Sequence, residues 1–88
     1  MAAAGKILIV EDESDLREIL IYHLKREGFD VYASGDGWES LQIAQAERPD
    51  VVLLDLMLPT MDGWEVCRKL RTAAGYGVHV IIISARNQ

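Results

Sequence analysis

Short aliphatic runs without polar alternation set the limits on how this chain can fold. KILIV (Lys6–Val10) and VVLLD (Val51–Asp55) are apolar at nearly every position, and VHVIIIS (Val78–Ser84) repeats the pattern. A strand with one wet face alternates apolar and polar side chains, so a run that does not alternate has to be covered on both faces. Helical patterns fill the spaces between these runs. Leu16, Ile19, Leu20, His23 and Leu24 recur at i, i+3, i+4, i+7 and i+8 and predict one inward helix face. Gly28 reads as the residue just past that helix.

FDVYA (Phe29–Ala33) is a strand with polar interruptions, expected nearer a sheet edge. Asp36 and Glu39 form a capping pair for a second helix, which runs to Arg48 before Pro49. Asp62, Gly63 and Glu65 open a third helix with Val66, Cys67 and Leu70 inward, and TAAGYG breaks it. Strands alternating with helices predict an α/β protein: a parallel sheet with right-handed crossovers and helices on both faces. Reactive groups in such sheets gather beyond the carboxyl ends of the strands, near the point where strand order reverses.

Composition removes several classes of function. The chain has 88 residues, enough for one small domain, and half of them are hydrophobic. A formal net charge of −5 argues against a nucleic-acid or anionic-membrane surface, because either needs a basic patch. The densest basic group, RKLR (Arg68–Arg71), is the size of one solvated helix face. The one cysteine, Cys67, cannot form an internal disulfide and reads as a small core-facing helix residue. No apolar run approaches the roughly 20 residues that span a bilayer. MAAAGK lacks the charged and apolar regions of a signal peptide, so a cytoplasmic location is expected.

Three acids carry the chemistry. Glu11 and Asp12 follow the first strand, and Asp55 ends the third. If those strands are neighbours, three carboxylates converge at one end of the sheet. Like charges that close would force one acid to keep its proton, and a divalent cation removes the conflict. Hard oxygen ligands with few protein contacts suit Mg²⁺, which keeps several waters and shares a phosphate readily. Capping of the first helix explains Glu11 and Asp12 as well, but not Asp55, which no helix follows directly. Ser84 closes the fourth strand at the same edge, either as a turn residue or as a donor to an anion above Asp55. An aspartate in such a place can attack a phosphoryl group and form an aspartyl phosphate.

ILIVEDE, DVVLLDLMLPTMDGWEVCRKLR and VIIISA together resemble the receiver domain of two-component response regulators, over nearly the whole chain. The resemblance implies a flavodoxin-like doubly wound sheet with strand order 2-1-3-4, residues 1–88 forming a single receiver domain that is C-terminally truncated. It implies that Asp55 accepts a phosphoryl group from a sensor histidine kinase, as a signalling acceptor and not as an enzyme. It also implies that Asp12, Asp55 and the backbone carbonyl of Met57 hold Mg²⁺, with Glu11 supporting the ion through water. Ser84 would bind a phosphoryl oxygen, as would the backbone N–H of Leu56 or Ala85. Pro59 and Gly63 would shape the adjoining loop.

The same resemblance implies a fourth helix, a fifth strand ending in a lysine that faces the phosphoryl group, and a fifth helix. The 88 residues stop before them. Lys6 stands at the opposite end of the sheet, and Arg86 is a remote substitute. His79, where the family often has proline, reads as the opening residue of a strand and not as a ligand. The fourth strand is then expected at an open edge, with one sheet face uncovered beside it, and such an edge seeks a partner. A homodimer through that edge and face is the expectation, and a phosphorylation-impaired interaction module is the alternative function. A haloacid-dehalogenase-type phosphatase would need an acid where Met57 stands. A flavin-binding flavodoxin would need a hydroxyl-rich loop where EDES stands.

Overall fold

The computed structural model describes residues 4–58, 61–73 and 77–84. In chain order these form β1 (Lys6–Val10), α1 (Ser14–Arg26), β2 (Asp30–Ser34), α2 (Gly37–Glu47), β3 (Val51–Asp55), α3 (Gly63–Ala73) and β4 (His79–Ser84). The strands form one sheet in the order β2-β1-β3-β4, with every pairing parallel. This is the expected flavodoxin-like arrangement, with four strands and three helices among the described residues. β1 and β3 are internal, which explains why their sequences lack alternation. None of the described helices is long and apolar enough to cross a membrane.

Alternate residues of the internal strands point to opposite faces. Leu8 and Val10 of β1, with Val52 and Leu54 of β3, meet Ala44 of α2 and Val66 and Leu70 of α3 in one buried cluster completed by Met61. Val66 and Leu70 therefore point inward as predicted, and Cys67 packs partly buried against the same cluster. Ile7 and Ile9 point the other way and are also buried, beneath α1, which packs on β1 and β2.

The inward face of α1 differs from the predicted one. Leu16, Leu20, Ile21 and Leu24 are half-buried, His23 is exposed, and Ile19 is 53% exposed. At about 100° per residue, Leu16, Leu20 and Leu24 form one stripe that Arg17 and Ile21 extend on one side. Ile19 and His23 fall on the opposite flank. The i+3 positions were legitimate members of the pattern, but α1 touches the sheet along a single line and the i+4 row took it.

Helix ends follow local chemistry. Glu27 caps α1 and Gly28 adopts φ 96°, a left-handed conformation that favours glycine. The Phe29 N–H reaches the Leu24 carbonyl and the Gly28 N–H reaches that of Lys25, which is a Schellman closure. With its N–H turned back to the helix, Phe29 cannot begin the ladder, so β2 starts at Asp30, one residue later than its sequence suggests. At α2 the Asp36 side chain accepts from the Trp38 N–H (3.1 Å). Glu39 does not complete a reciprocal box as predicted. It accepts from the Ser34 hydroxyl (2.7 Å), and that hydroxyl accepts from the Asp36 N–H (3.0 Å). Ser34, buried at the end of β2, has taken the middle position of the cap.

Candidate functional site

The pairing of β1 with β3 places Val10 opposite Leu54, so Glu11, Asp12 and Asp55 leave the sheet together. One carboxylate oxygen from each of the three lies within 4.8 Å of the others. Glu11 and Asp55 are completely buried, whereas Asp12 is exposed.

Each buried acid is half satisfied. Glu11 Oε2 accepts from the Glu13 N–H (2.9 Å), and Asp55 Oδ1 accepts from the Met57 N–H (2.9 Å). Among the described residues, Glu11 Oε1 and Asp55 Oδ2 have no hydrogen-bond partner. Capping thus accounts for one Glu11 oxygen and leaves the other unexplained. Burial pushes the Glu11 carboxyl above its ordinary value. The neighbouring Asp55 and Asp12 carboxylates push it the same way, against the opposing Glu13 N–H. Two buried oxygens without donors beside a third, solvent-facing carboxylate form a hard, anionic donor set. That set fits a small divalent cation such as Mg²⁺.

The loop after β3 is held by close backbone contact. The Gly63 N–H donates to the Leu56 carbonyl (3.2 Å). A Cβ on Gly63 would overlap Leu56 Cα and stand 2.9 Å from the Asp55 and Leu56 carbonyl oxygens. Only glycine lets the start of α3 approach the end of β3 so closely. The Asp62 carboxylate accepts from the Trp64 N–H (3.2 Å), fixing the first turn of α3.

Across β3 and β4 the register shifts between Leu54 and Asp55, setting Ser84 opposite Asp55. Pro59, Ala85 and Arg86 lie outside the described residues. Lys6 is held at the far end of β1, where its Nζ donates to the Glu47 carbonyl (3.0 Å) and lies 3.8 Å from the Glu47 carboxylate. His79 is exposed at the start of β4 and its N–H donates to the Asp50 carbonyl (3.1 Å), as expected for a residue that opens a strand.

Two residues near the cluster were not among the sequence candidates. Arg17, half-buried in the first turns of α1, reaches back to the loop that carries Glu11 and Asp12. Gly35, after β2, lies against the same loop. A lone arginine within EDESDLRE was the available signal, but it is indistinguishable from an ordinary helix-surface residue.

Over residues 7–88 the sequence matches the family described as the response regulator receiver domain. The chain is similar in structure to the N-terminal domain of a response regulator receiver protein from Methanoculleus marisnigri (TM-score 0.88, 31% identity, 98% of this chain and 71% of that one). It is also similar to the BeF3-activated N-terminal receiver domain of Klebsiella pneumoniae RstA (TM-score 0.84, 30% identity, 94% and 69%). A third likeness is to a signal receiver domain from Vibrio parahaemolyticus (TM-score 0.82, 28% identity). It covers 89% of this chain, which spans 59% of the length of the Vibrio structure.

Proposed function

Because the chain belongs to the response regulator receiver domain family, we propose that residues 1–88 act as one phosphoacceptor unit in two-component signalling, in the cytoplasm. Asp55 takes the phosphoryl group from a phosphohistidine of a sensor histidine kinase. A carboxylate oxygen of Asp55 forms the new P–O bond, the P–N bond breaks, and the imidazole nitrogen leaves with its electron pair. The observation that carries this proposal is the buried Asp55 with one oxygen unpartnered among the described residues, clustered with Glu11 and Asp12. BeF3 activation, stated for the Klebsiella relative, supports it.

Asp12, Asp55 and the backbone carbonyl of Met57 would hold Mg²⁺, with Glu11 behind them, and the bound ion would supply charge neutralisation for an anionic donor. The chain's own part is orientation. The Met57 N–H fixes Asp55 through Oδ1, and the Gly63 contact holds the Leu56–Met57 backbone beside it. Ser84, with the Leu56 or Ala85 N–H, would bind phosphoryl oxygens, and Pro59 and Gly63 would shape the loop. A small-molecule phosphodonor with Mg²⁺ should add one phosphate to the intact protein and none to Asp55→Asn, read by mass spectrometry. No adduct on the wild type overturns the proposal.

A second reading is an interaction module that retains the pocket without regulated phosphorylation. Ile81 favours it, being 50% exposed on β4, which is an edge strand among the described residues. A second copy meeting this edge and the adjoining face would form a homodimer. A stable monomer in sedimentation equilibrium at micromolar concentration overturns that reading.

A further inference from the structure

The loop between β1 and α1 carries two of the three clustered acids, and its backbone is held from outside the cluster. Arg17 Nη1 donates to the Glu11 carbonyl at 2.8 Å and, over a longer contact, to the Asp12 carbonyl at 3.4 Å. That nitrogen occupies space left by Gly35. A Cβ on Gly35 would lie 3.0 Å from Arg17 Nη1, 3.4 Å from Asp12 Cα and 3.5 Å from the Glu11 carbonyl oxygen. Gly35 does not have a positive φ, so its backbone accepts any residue and the constraint is one of room.

We propose that Arg17 is a positioning residue for the acidic site, its guanidinium bracing the Glu11–Asp12 backbone from a slot that exists because residue 35 has no side chain. The proposal rests on the Mg²⁺ reading of the cluster and adds to it the element that sets the ligand geometry. Both acids sit on a short connection that their own repulsion would spread. A donor shared by their two carbonyls opposes the spreading without touching either carboxylate. Outer contacts of this kind orient metal ligands and change affinity when they are lost.

The brace and simple electrostatics predict opposite signs. A guanidinium near an anionic pocket repels a cation, so if charge alone mattered, removing it would tighten Mg²⁺ binding. The brace predicts weaker binding. Arginine and lysine also separate, because a lysine keeps the charge while its shorter stem ends before the Nη1 position.

Isothermal titration of MgCl2 into the 88-residue chain, with urea unfolding of each metal-free variant, tests the inference. Arg17→Ala and Arg17→Lys should each weaken Mg²⁺ binding on the order of tenfold. Gly35→Ala, whose Cβ would make Nη1 give way by a few tenths of an ångström, should weaken it less than Arg17→Ala does. The double variant Arg17→Ala/Gly35→Ala should bind no more weakly than Arg17→Ala alone, since both changes act on the same contact. The urea transition of Arg17→Lys should stay cooperative with the wild-type slope, which separates positioning from a loss of folding. Unchanged or tighter binding by Arg17→Ala, or wild-type affinity in Arg17→Lys, overturns the brace. If Arg17→Ala does not fold, Arg17→Lys decides. A wild type that takes up no Mg²⁺ overturns the metal site itself and the brace with it.

Discussion

Glu11 and Asp55 come from neighbouring strands, are both completely buried, and each keep one carboxylate oxygen without a hydrogen-bond partner among the described residues. Buried acceptors without donors cost stability, and two adjacent acids add repulsion to that cost. The arrangement is therefore unfavourable for the protein alone and favourable for a protein holding a cation.

Mg²⁺ should raise the thermal midpoint of the wild type, by the equivalent of about 2.7 kcal/mol when the ion is at 100 times its dissociation constant. Asp55→Asn keeps an acceptor for the Met57 N–H and removes one of the clustered charges. The metal-free variant should consequently melt above the metal-free wild type while responding far less to Mg²⁺. Calorimetric scans with and without the ion check both signs, and a variant that melts lower than the wild type without Mg²⁺ contradicts the repulsion account.

The raised Glu11 carboxyl gives the metal-free protein a pH dependence of definite direction. Below the ordinary value of 4.5 both folded and unfolded chains hold this proton, and Glu11 imposes no penalty. As pH rises from there through the raised folded-state value, the unfolded chain ionises first. The native state then loses stability relative to it. Urea midpoints measured from the ordinary carboxylate range upward should show this loss, and Glu11→Gln should flatten it. An identical slope in the variant would assign the dependence to other groups.

Gly63→Ala should be among the most damaging small substitutions in the chain. The added Cβ meets backbone atoms of Asp55 and Leu56 rather than a flexible side chain. The expected destabilisation lies at or above the upper end of the roughly 1–3 kcal/mol typical of overpacking. Chemical denaturation reads it, and a change under about 0.5 kcal/mol, the range of neutral surface substitutions, contradicts the close approach.

The corrected face of α1 makes a paired comparison. Ile19→Ala removes a side chain that is already half in water and should cost less than about 1 kcal/mol. Leu70→Ala empties a position that is 1% exposed and should cost ~2–5 kcal/mol. Comparable losses at the two positions would place Ile19 against the sheet after all.

Much of this protein was legible in its sequence because the responsible signals are local. Unbroken aliphatic runs at Lys6–Val10 and Val51–Asp55 read as strands covered on both faces, and alternation with helical patterns makes their sheet parallel. Two acids after one such strand and one ending the other then converge by topology alone. Asp36 opens α2 and Gly28 closes α1 through bonds to near neighbours, so they too could be read in advance.

What the tertiary structure decided were choices among locally equivalent options. Ile19 and Leu20 fit the helical pattern equally well, and only the line along which α1 meets β1 and β2 selected between them. Glu39 could have bonded its own helix cap, but Ser34 arrives from the end of β2 and accepts the Asp36 N–H instead. Arg17 looks like a surface residue until the turn at Gly35 leaves room for its guanidinium beside Glu11 and Asp12. Hydrophobic period and chain order act over a few residues and survive in one dimension. Packing partners and the space left by a missing side chain are set by segments distant in sequence, so they appear only when the chain is folded.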